Sequence, residues 1–153
     1  MIVGTSTNYT GRLVDLCLFP GLNLPDVSRP MTVDGVAKVT TGISKAVQGF
    51  AVALLSREGE NYEDPNFGTN FSSRMGYGGV KYPSDIGQIF AIESSKAADW
   101  WNANSKSRPL DEQIKAVDLV DQRIGATSVS LSIRVTSRAD SDISFFLPVN
   151  WSN

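Results

Sequence analysis

The sequence contains no histidine and a single cysteine, Cys17. Without histidine there is no Ser-His-Asp or Cys-His catalysis, no histidine general base and no His-containing zinc site. One cysteine excludes a CxxC redox pair, a cysteine-rich zinc site and an internal disulfide. Cys17 stands in the apolar run Leu16-Cys17-Leu18-Phe19 and reads as a buried, inert thiol. Basic charge is not in excess: 14 Lys and Arg face 16 Asp and Glu, for a net charge of -2. The electrostatic footprint of a nucleic-acid binder is therefore missing. No apolar run approaches the ~18 residues of a membrane span. Met1–Thr5 lacks the basic and apolar regions of a secretory signal, so the chain reads as made in a cytosol, with no membrane partner. The sequons at Asn8, Asn70 and Asn150 then read as coincidence.

What is present is enough for one core. The chain has 153 residues, 41% hydrophobic and 20% charged, which suits a single globular domain. Residues 1–11 are small and polar and read as a loose arm. Residues 12–19 suggest a short strand. Pro20, Gly21, Pro25 and Pro30 make the next stretch an extended connector. Val33, Val36 and Val39, with Asp34-Gly35 as a turn signal, suggest strand-like structure over 31–41. We therefore divide the chain into an arm and connector (1–35) and a folded unit (36–153).

Periodicity then changes. Ile43, Ala46, Val47, Phe50, Ala51 and Leu54 form one apolar stripe, predicting a helix over about 44–56. Residues 57–83 hold many glycines, two prolines and the acids Glu58, Glu60, Glu63 and Asp64. Structureless loops of that length are uncommon, and Tyr62, Phe67, Phe71, Tyr77 and Tyr82 argue for an ordered loop pinned by rings. Ile86, Ile89, Phe90, Ala97 and Trp101 predict a helix over about 85–103, which turns Trp100 elsewhere and makes it a candidate contact residue. Pro109, with Asp111 and Glu112 behind it, predicts a third helix over 109–121 with Leu110, Ile114 and Val117 inward and an Asp111–Lys115 pair. Val129, Leu131, Ile133 and Val135, then Ile143, Phe145, Leu147 and Val149, alternate around an Ala139-Asp140-Ser141-Asp142 turn and predict a hairpin. The fold class expected is α+β: one small domain, helices packed on an antiparallel sheet with a C-terminal β-hairpin.

Catalytic groupings are weak. Glu58 and Glu60 are the best candidates for a glycosidase pair, which needs two carboxyls across a cleft; a solvated loop explains them more simply. Asp140 and Asp142 lack the ligand pattern of a calcium loop. Gly76–Gly79 lacks phosphate-loop spacing and reads as a turn. Asp118 and Asp121, near the end of the predicted 109–121 helix, sit badly with its dipole and point to Arg123 as their partner. No cofactor or metal site is expected, and the chain reads as a protein without catalysis.

The run Thr40–Glu60, with Leu54-Leu55-Ser56-Arg57-Glu58-Gly59-Glu60 at its end, resembles the helix and "LLT-x-x-GE" segment of the baseplate wedge or sheath-initiator proteins of contractile phage tails. Asp64-Pro65-Asn66-Phe67-Gly68-Thr69-Asn70-Phe71 resembles that family's "P-x-[YF]-G-[ST]-x-[LF]" loop. Asp121-Gln122-Arg123-Ile124 sits where the family carries Glu-Pro-Arg-Ile, with only Arg123 and Ile124 matching. The resemblance covers about 36–149. It implies a small α+β structural protein of the virion tail baseplate, assembled in the host cytoplasm, six copies per tail, with relatives in type VI secretion. It implies that the protein joins the wedge and seeds sheath polymerisation by accepting strands at the C-terminal hairpin. The expected partners are sheath protein, wedge proteins and tail tube or hub proteins. The residues expected to meet them are Arg123, Ile124, Ile143, Phe145, Leu147, Val149 and Trp100. Gly59, Pro65, Phe67 and Gly68 are the expected structural loop positions. Some members carry a lysozyme-like name, so a carboxylate-dependent peptidoglycan hydrolase is the alternative function. Another tube-associated tail adaptor is a third.

Overall fold

The computed structural model describes residues 39–76, 78–104 and 107–150, together with the two-residue strands 15–16, 32–33 and 36–37. Cys17, the rest of the arm and connector, and Tyr77 lie outside the described residues. Among them the order is β1 (Asp15–Leu16), β2 (Thr32–Val33), β3 (Val36–Ala37), β4 (Val39–Thr40), α1 (Gly42–Leu55), α2 (Phe71–Met75), α3 (Pro83–Ala103), a 3-10 turn (Leu110–Glu112), β5 (Ile114–Ile124), β6 (Ser128–Ser137) and β7 (Asp142–Asn150). β1 pairs with β4 and β2 with β3, while β5, β6 and β7 form an antiparallel sheet with β6 in the centre. The fold is α+β, as the periodicities predict.

The two long helices begin within two residues of their predicted starts, because their apolar stripes are long and unbroken. Ala46, Val47, Phe50, Ala53 and Leu54 of α1 and Ile86, Ile89, Phe90, Ala97 and Trp101 of α3 are buried in one cluster. The cluster continues into Val129, Leu131, Ile133 and Val135 of β6 and Ile143, Phe145 and Leu147 of β7. One sheet face thus carries the helices: α3 lies against β5, and α1 beneath β6 and β7. At the start of α3, Asp85 accepts the backbone N–H of Lys81 at 2.8 Å and of Tyr82 at 2.9 Å. Those donors, Tyr82 foremost and then Lys81, hold its carboxyl below its ordinary pKa.

The predicted third helix is not there. Residues 109–121 form the three-residue turn and then most of β5. The reason is two β-bulges in the β5–β6 pairing, at Ile114/Ala116 and Leu119/Asp121. Each inserts one extra residue, so the side chains on the helix side of the sheet are 114, 117, 119, 122 and 124. Their first spacing is three, which mimics a helical face. Leu110, expected inside, is 58% exposed. Lys115 bonds the Asp140 carboxylate rather than Asp111. Asp118 meets no helix dipole; it pairs with Arg134 across the strands at 3.4 Å. Ile114 is buried as expected.

The β6–β7 turn explains its own sequence. Asp140 N–H bonds the Ser137 carbonyl at 3.1 Å and Ser137 N–H bonds the Ser141 carbonyl at 2.8 Å. Asp140 has φ 59°. This is a three-residue hairpin loop whose left-handed position is filled by Asp, a residue that tolerates it.

α1 and α3 cross at Gly49, where an added Cβ would overlap the six-membered ring of Trp101. Alanine favours a helix interior by about 1 kcal/mol over glycine. The ring cannot yield, because its Nε1 donates to the Glu112 carbonyl at 2.7 Å and the Arg108 guanidinium stacks over it at 4.3 Å. Overpacking of this kind costs about 1–3 kcal/mol or more. Gly49→Ala is therefore expected to destabilise, by about 2 kcal/mol net; a raised urea midpoint would refute the close packing.

Candidate functional site

Two regions present themselves: the loop between α1 and α3, and the rims of the sheet. The loop is built on a parallel bridge between Arg57 and Thr69. Thr69 N–H bonds the Ser56 carbonyl at 2.8 Å, Glu58 N–H bonds the Thr69 carbonyl at 3.1 Å, and the Thr69 hydroxyl bonds the Leu54 carbonyl at 2.7 Å. Gly68 lies against the Ser56–Arg57 backbone at φ +96°, and Gly59 turns the chain at φ +82°. Pro65 follows Asp64, whose Oδ1 takes the Asn66 N–H at 3.1 Å.

The aromatics brace the loop from α3. Trp100 Nε1 donates to Asp64 Oδ2 at 2.7 Å, and Phe67 meets the Trp100 ring edge-on at 4.7 Å. Trp100 was expected to be a partner contact; it is half-buried and its polar atom is spent within the chain. Deeper, the fully buried Glu93 of α3 accepts the Asn70 N–H at 2.9 Å, with Arg74 at 3.2 Å and Lys96 at 3.7 Å from its carboxylate. Lys96 also approaches Glu58 at 3.6 Å. Glu93 was not singled out from the sequence, since a lone Glu on an amphipathic helix gives no sign of burial. A groove of about 550 Å³ lies between this loop and the end of α3, lined among the described residues by Glu58, Asp64, Asn66, Gly68, Lys96, Asp99, Trp100, Ala103 and Asn104. Glu60 is not in its lining; it sits near Arg57 at 3.9 Å with both side chains exposed. Glu58 and Glu60, the candidates for a glycosidase pair, do not share the groove.

The sheet has two edges, and they differ. On β5 the ladder is interrupted twice by bulges. The side-chain amide of Asn102 on α3 takes both backbone groups of Ile114, accepting its N–H at 2.9 Å and donating to its carbonyl at 2.8 Å. At the far end Gln122 Nε2 bonds the Pro83 carbonyl at 3.0 Å. Bulges are one device by which proteins blunt an edge. β7 pairs with β6 from Asp142 to Asn150 without a register shift. The Ser137–Ser141 bond sets its phase. Every second pair of an antiparallel ladder exchanges bonds, so Ile143, Phe145, Leu147 and Val149 bond inward. Asp142, Ser144, Phe146, Pro148 and Asn150 turn their backbone groups to the free edge, which no other strand borders among the described residues.

Of the residues expected to meet a partner, Ile143, Phe145 and Leu147 are buried and Val149 is half-buried. Their side chains complete the core. Arg123 and Ile124 are exposed at the end of β5, with Arg123 Nε 3.6 Å from Asp121 Oδ2. On the uncovered sheet face Phe146 is 56% exposed; sequence alternation marks it as outward but not as part of an edge. Gly79 N–H bonds the Gly76 carbonyl at 3.0 Å, closing that glycine-rich stretch as a turn. Among the described residues no three His, Cys, Asp or Glu are placed to hold a metal, and no helix is long and apolar enough to cross a membrane.

No protein-family model matches the chain, and no curated protein does. A solved structure does. It is that of a candidate tail lysozyme from Geobacter sulfurreducens, 14% identical, with a TM-score of 0.52, covering 76% of this chain and 98% of its own. The two chains share a fold. At that identity the likeness speaks for the architecture, helices on a three-stranded antiparallel sheet, and for nothing finer.

Proposed function

We propose that the protein is a structural component of a contractile phage tail baseplate, and that it joins the wedge and seeds the sheath by accepting an added strand at the free edge of β7. The observation that carries this reading is the difference between the two edges. β5 is bulged twice and amide-capped at Ile114, whereas β7 offers the N–H groups of Asp142, Ser144 and Phe146 and the carbonyls beside them. Main-chain bonding gives such additions their affinity, at a net ~0.5–1.5 kcal/mol per bond. Pro148 has no N–H to offer, so the acceptor run ends there. The sequence resemblance to sheath-initiator proteins and the fold shared with a protein named as a tail lysozyme support the same reading. Six-fold repetition around a tail would add avidity.

Deleting β7 would test nothing, because Ile143, Phe145 and Leu147 fill the core. Proline at the outward positions removes donors that face the free edge and none of the β6–β7 ladder donors. Tails assembled with Ser144→Pro/Phe146→Pro are expected to show baseplates and tubes without sheath in electron micrographs, while the purified variant keeps its far-ultraviolet dichroism. Normal sheath on baseplates built from the folded double variant would sink the proposal.

The competing hydrolase reading draws on the neighbour's name and on the carboxylates at the groove. It predicts cell-wall turnover by the purified protein that is lost in Glu58→Gln; the structural reading predicts none.

A further inference from the structure

The side chains of β7 divide between two faces, and only one face has apolar surface left to cover. On the helix side Ile143, Phe145 and Leu147 are 6%, 1% and 6% exposed. α1 lies beneath β7, and each of its residues is buried or half-buried. On the other face Phe146 keeps 56% of its surface in water. Its neighbour across β6 is Ser132, whose side chain is too small to cover a ring.

The backbone of Phe146 also belongs to the free edge. In an added antiparallel strand, the residue that exchanges both bonds with Phe146 stands directly opposite it, with its side chain on the same face. Aromatic and β-branched side chains opposed in this way stabilise the pairing of their strands. The middle of this edge has none of the usual protections, which are lysines, bulges and prolines. β7 has no bulge; its one charged residue, Asp142, begins the strand, and its one proline, Pro148, stands near the end. The ring lies between them.

We infer that the strand added to β7 is an extended segment of another protein, paired from Asp142 to Pro148, with a β-branched or aromatic side chain set against Phe146 on the uncovered face. The inference rests on the strand addition proposed above and names what the edge selects. Main-chain bonds to Asp142, Ser144 and Phe146 take almost any sequence, and the side-chain contact gives the specificity. The selecting contact lies on the face away from the core, because the inner row is already covered.

The test is the coupling between the ring and one peptide side chain. Two peptides, Lys-Ser-Ser-Val-Ser-Ser-Lys and the same sequence with serine in place of valine, are titrated into the full-length ¹⁵N-labelled protein. The expected result is a shift of the Ser144 and Phe146 amide resonances, with the valine peptide binding about fivefold more tightly. In Phe146→Ala, which keeps the edge N–H, the two peptides are expected to bind within about twofold of each other. Val120→Ala, which trims a side chain of β5 that is also 56% exposed, is expected to keep the preference. Equal affinity of the two peptides for the parent protein would overturn the inference, as would a preference that survives in Phe146→Ala. Assembled tails separate the inference from the reading beneath it. Sheath is expected on about one fifth as many baseplates with Phe146→Ala as with the parent, and Phe146→Tyr is expected to restore it. Full sheath with Phe146→Ala, beside bare Ser144→Pro/Phe146→Pro baseplates, would overturn the inference alone. Full sheath on both would remove the strand addition as well.

Discussion

Gly68→Val is expected to lower the unfolding free energy by about 3 kcal/mol or more. Two costs add. Gly68 has φ +96°, where a β-branched residue is strained, and such backbone strain runs about 1–3 kcal/mol. The new Cβ would also lie 2.7 Å from the Arg57 carbonyl oxygen and 2.8 Å from the Arg57 carbonyl carbon and the Ser56 oxygen. Those atoms are backbone and cannot rotate away. The loop must part from the end of α1, losing the Thr69-to-Ser56 and Glu58-to-Thr69 bonds of 2.8 and 3.1 Å. Gly68→Ala meets the same clash with less bulk and is expected to fall between. Urea titration of the purified variants is the measurement. A midpoint equal to that of the parent protein would show that the loop is not held as described.

Glu112→Ala is expected to cost about 3–5 kcal/mol, the range for breaking a buried ion pair by removing one partner. Glu112 and Lys45 lie 3.4 Å apart with side-chain exposures of 2% and 5%. The same carboxylate accepts the Gly42 N–H at 3.3 Å, at the first turn of α1. Removing it leaves an ammonium buried without this counter-charge and a helix-terminal N–H without this acceptor. Replacing both members with apolar residues of similar size, Lys45→Met/Glu112→Leu, removes the two charges together. That double variant is expected to recover at least half of the loss. A single variant within about 1 kcal/mol of the parent would refute the coupling between the 3-10 turn and α1.

Where a residue's role was written in a local pattern, the sequence predicted it. The stripe from Ile43 to Leu54 and the alternation from Val129 to Val149 specify a helix and a hairpin, because each repeats one period with no interruption. β5 was lost because two bulges break its period of two, and bulges are settled by the partner strand rather than by the strand itself. The loop was legible as ordered, and Phe67 and the buried Phe71 do pin it, whereas Tyr62 and Tyr82, expected among the pinning rings, are exposed. That Trp100 is its inner anchor follows only from where α3 lies. The carboxylates divide in the same way. Glu58, Glu60, Glu63 and Asp64 are visibly clustered along the chain, yet Asp64 holds an indole, Glu58 meets Lys96 and Glu60 stays in water.

The sequence alone determined that histidine and thiol-pair chemistry are excluded, that the chain is α+β, and which faces of two helices and two strands turn inward. Those are consequences of composition and of side-chain period, which act over a few residues. Only the tertiary structure decided that β6 is central, that Asn102 of α3 caps the other edge at Ile114, and that β7 keeps its outward donors as far as Pro148. Edge and centre are properties of a strand's neighbours. A strand bordered by nothing has the same alternating sequence as one bordered on both sides, so the free edge could be found only by seeing what packs beside it.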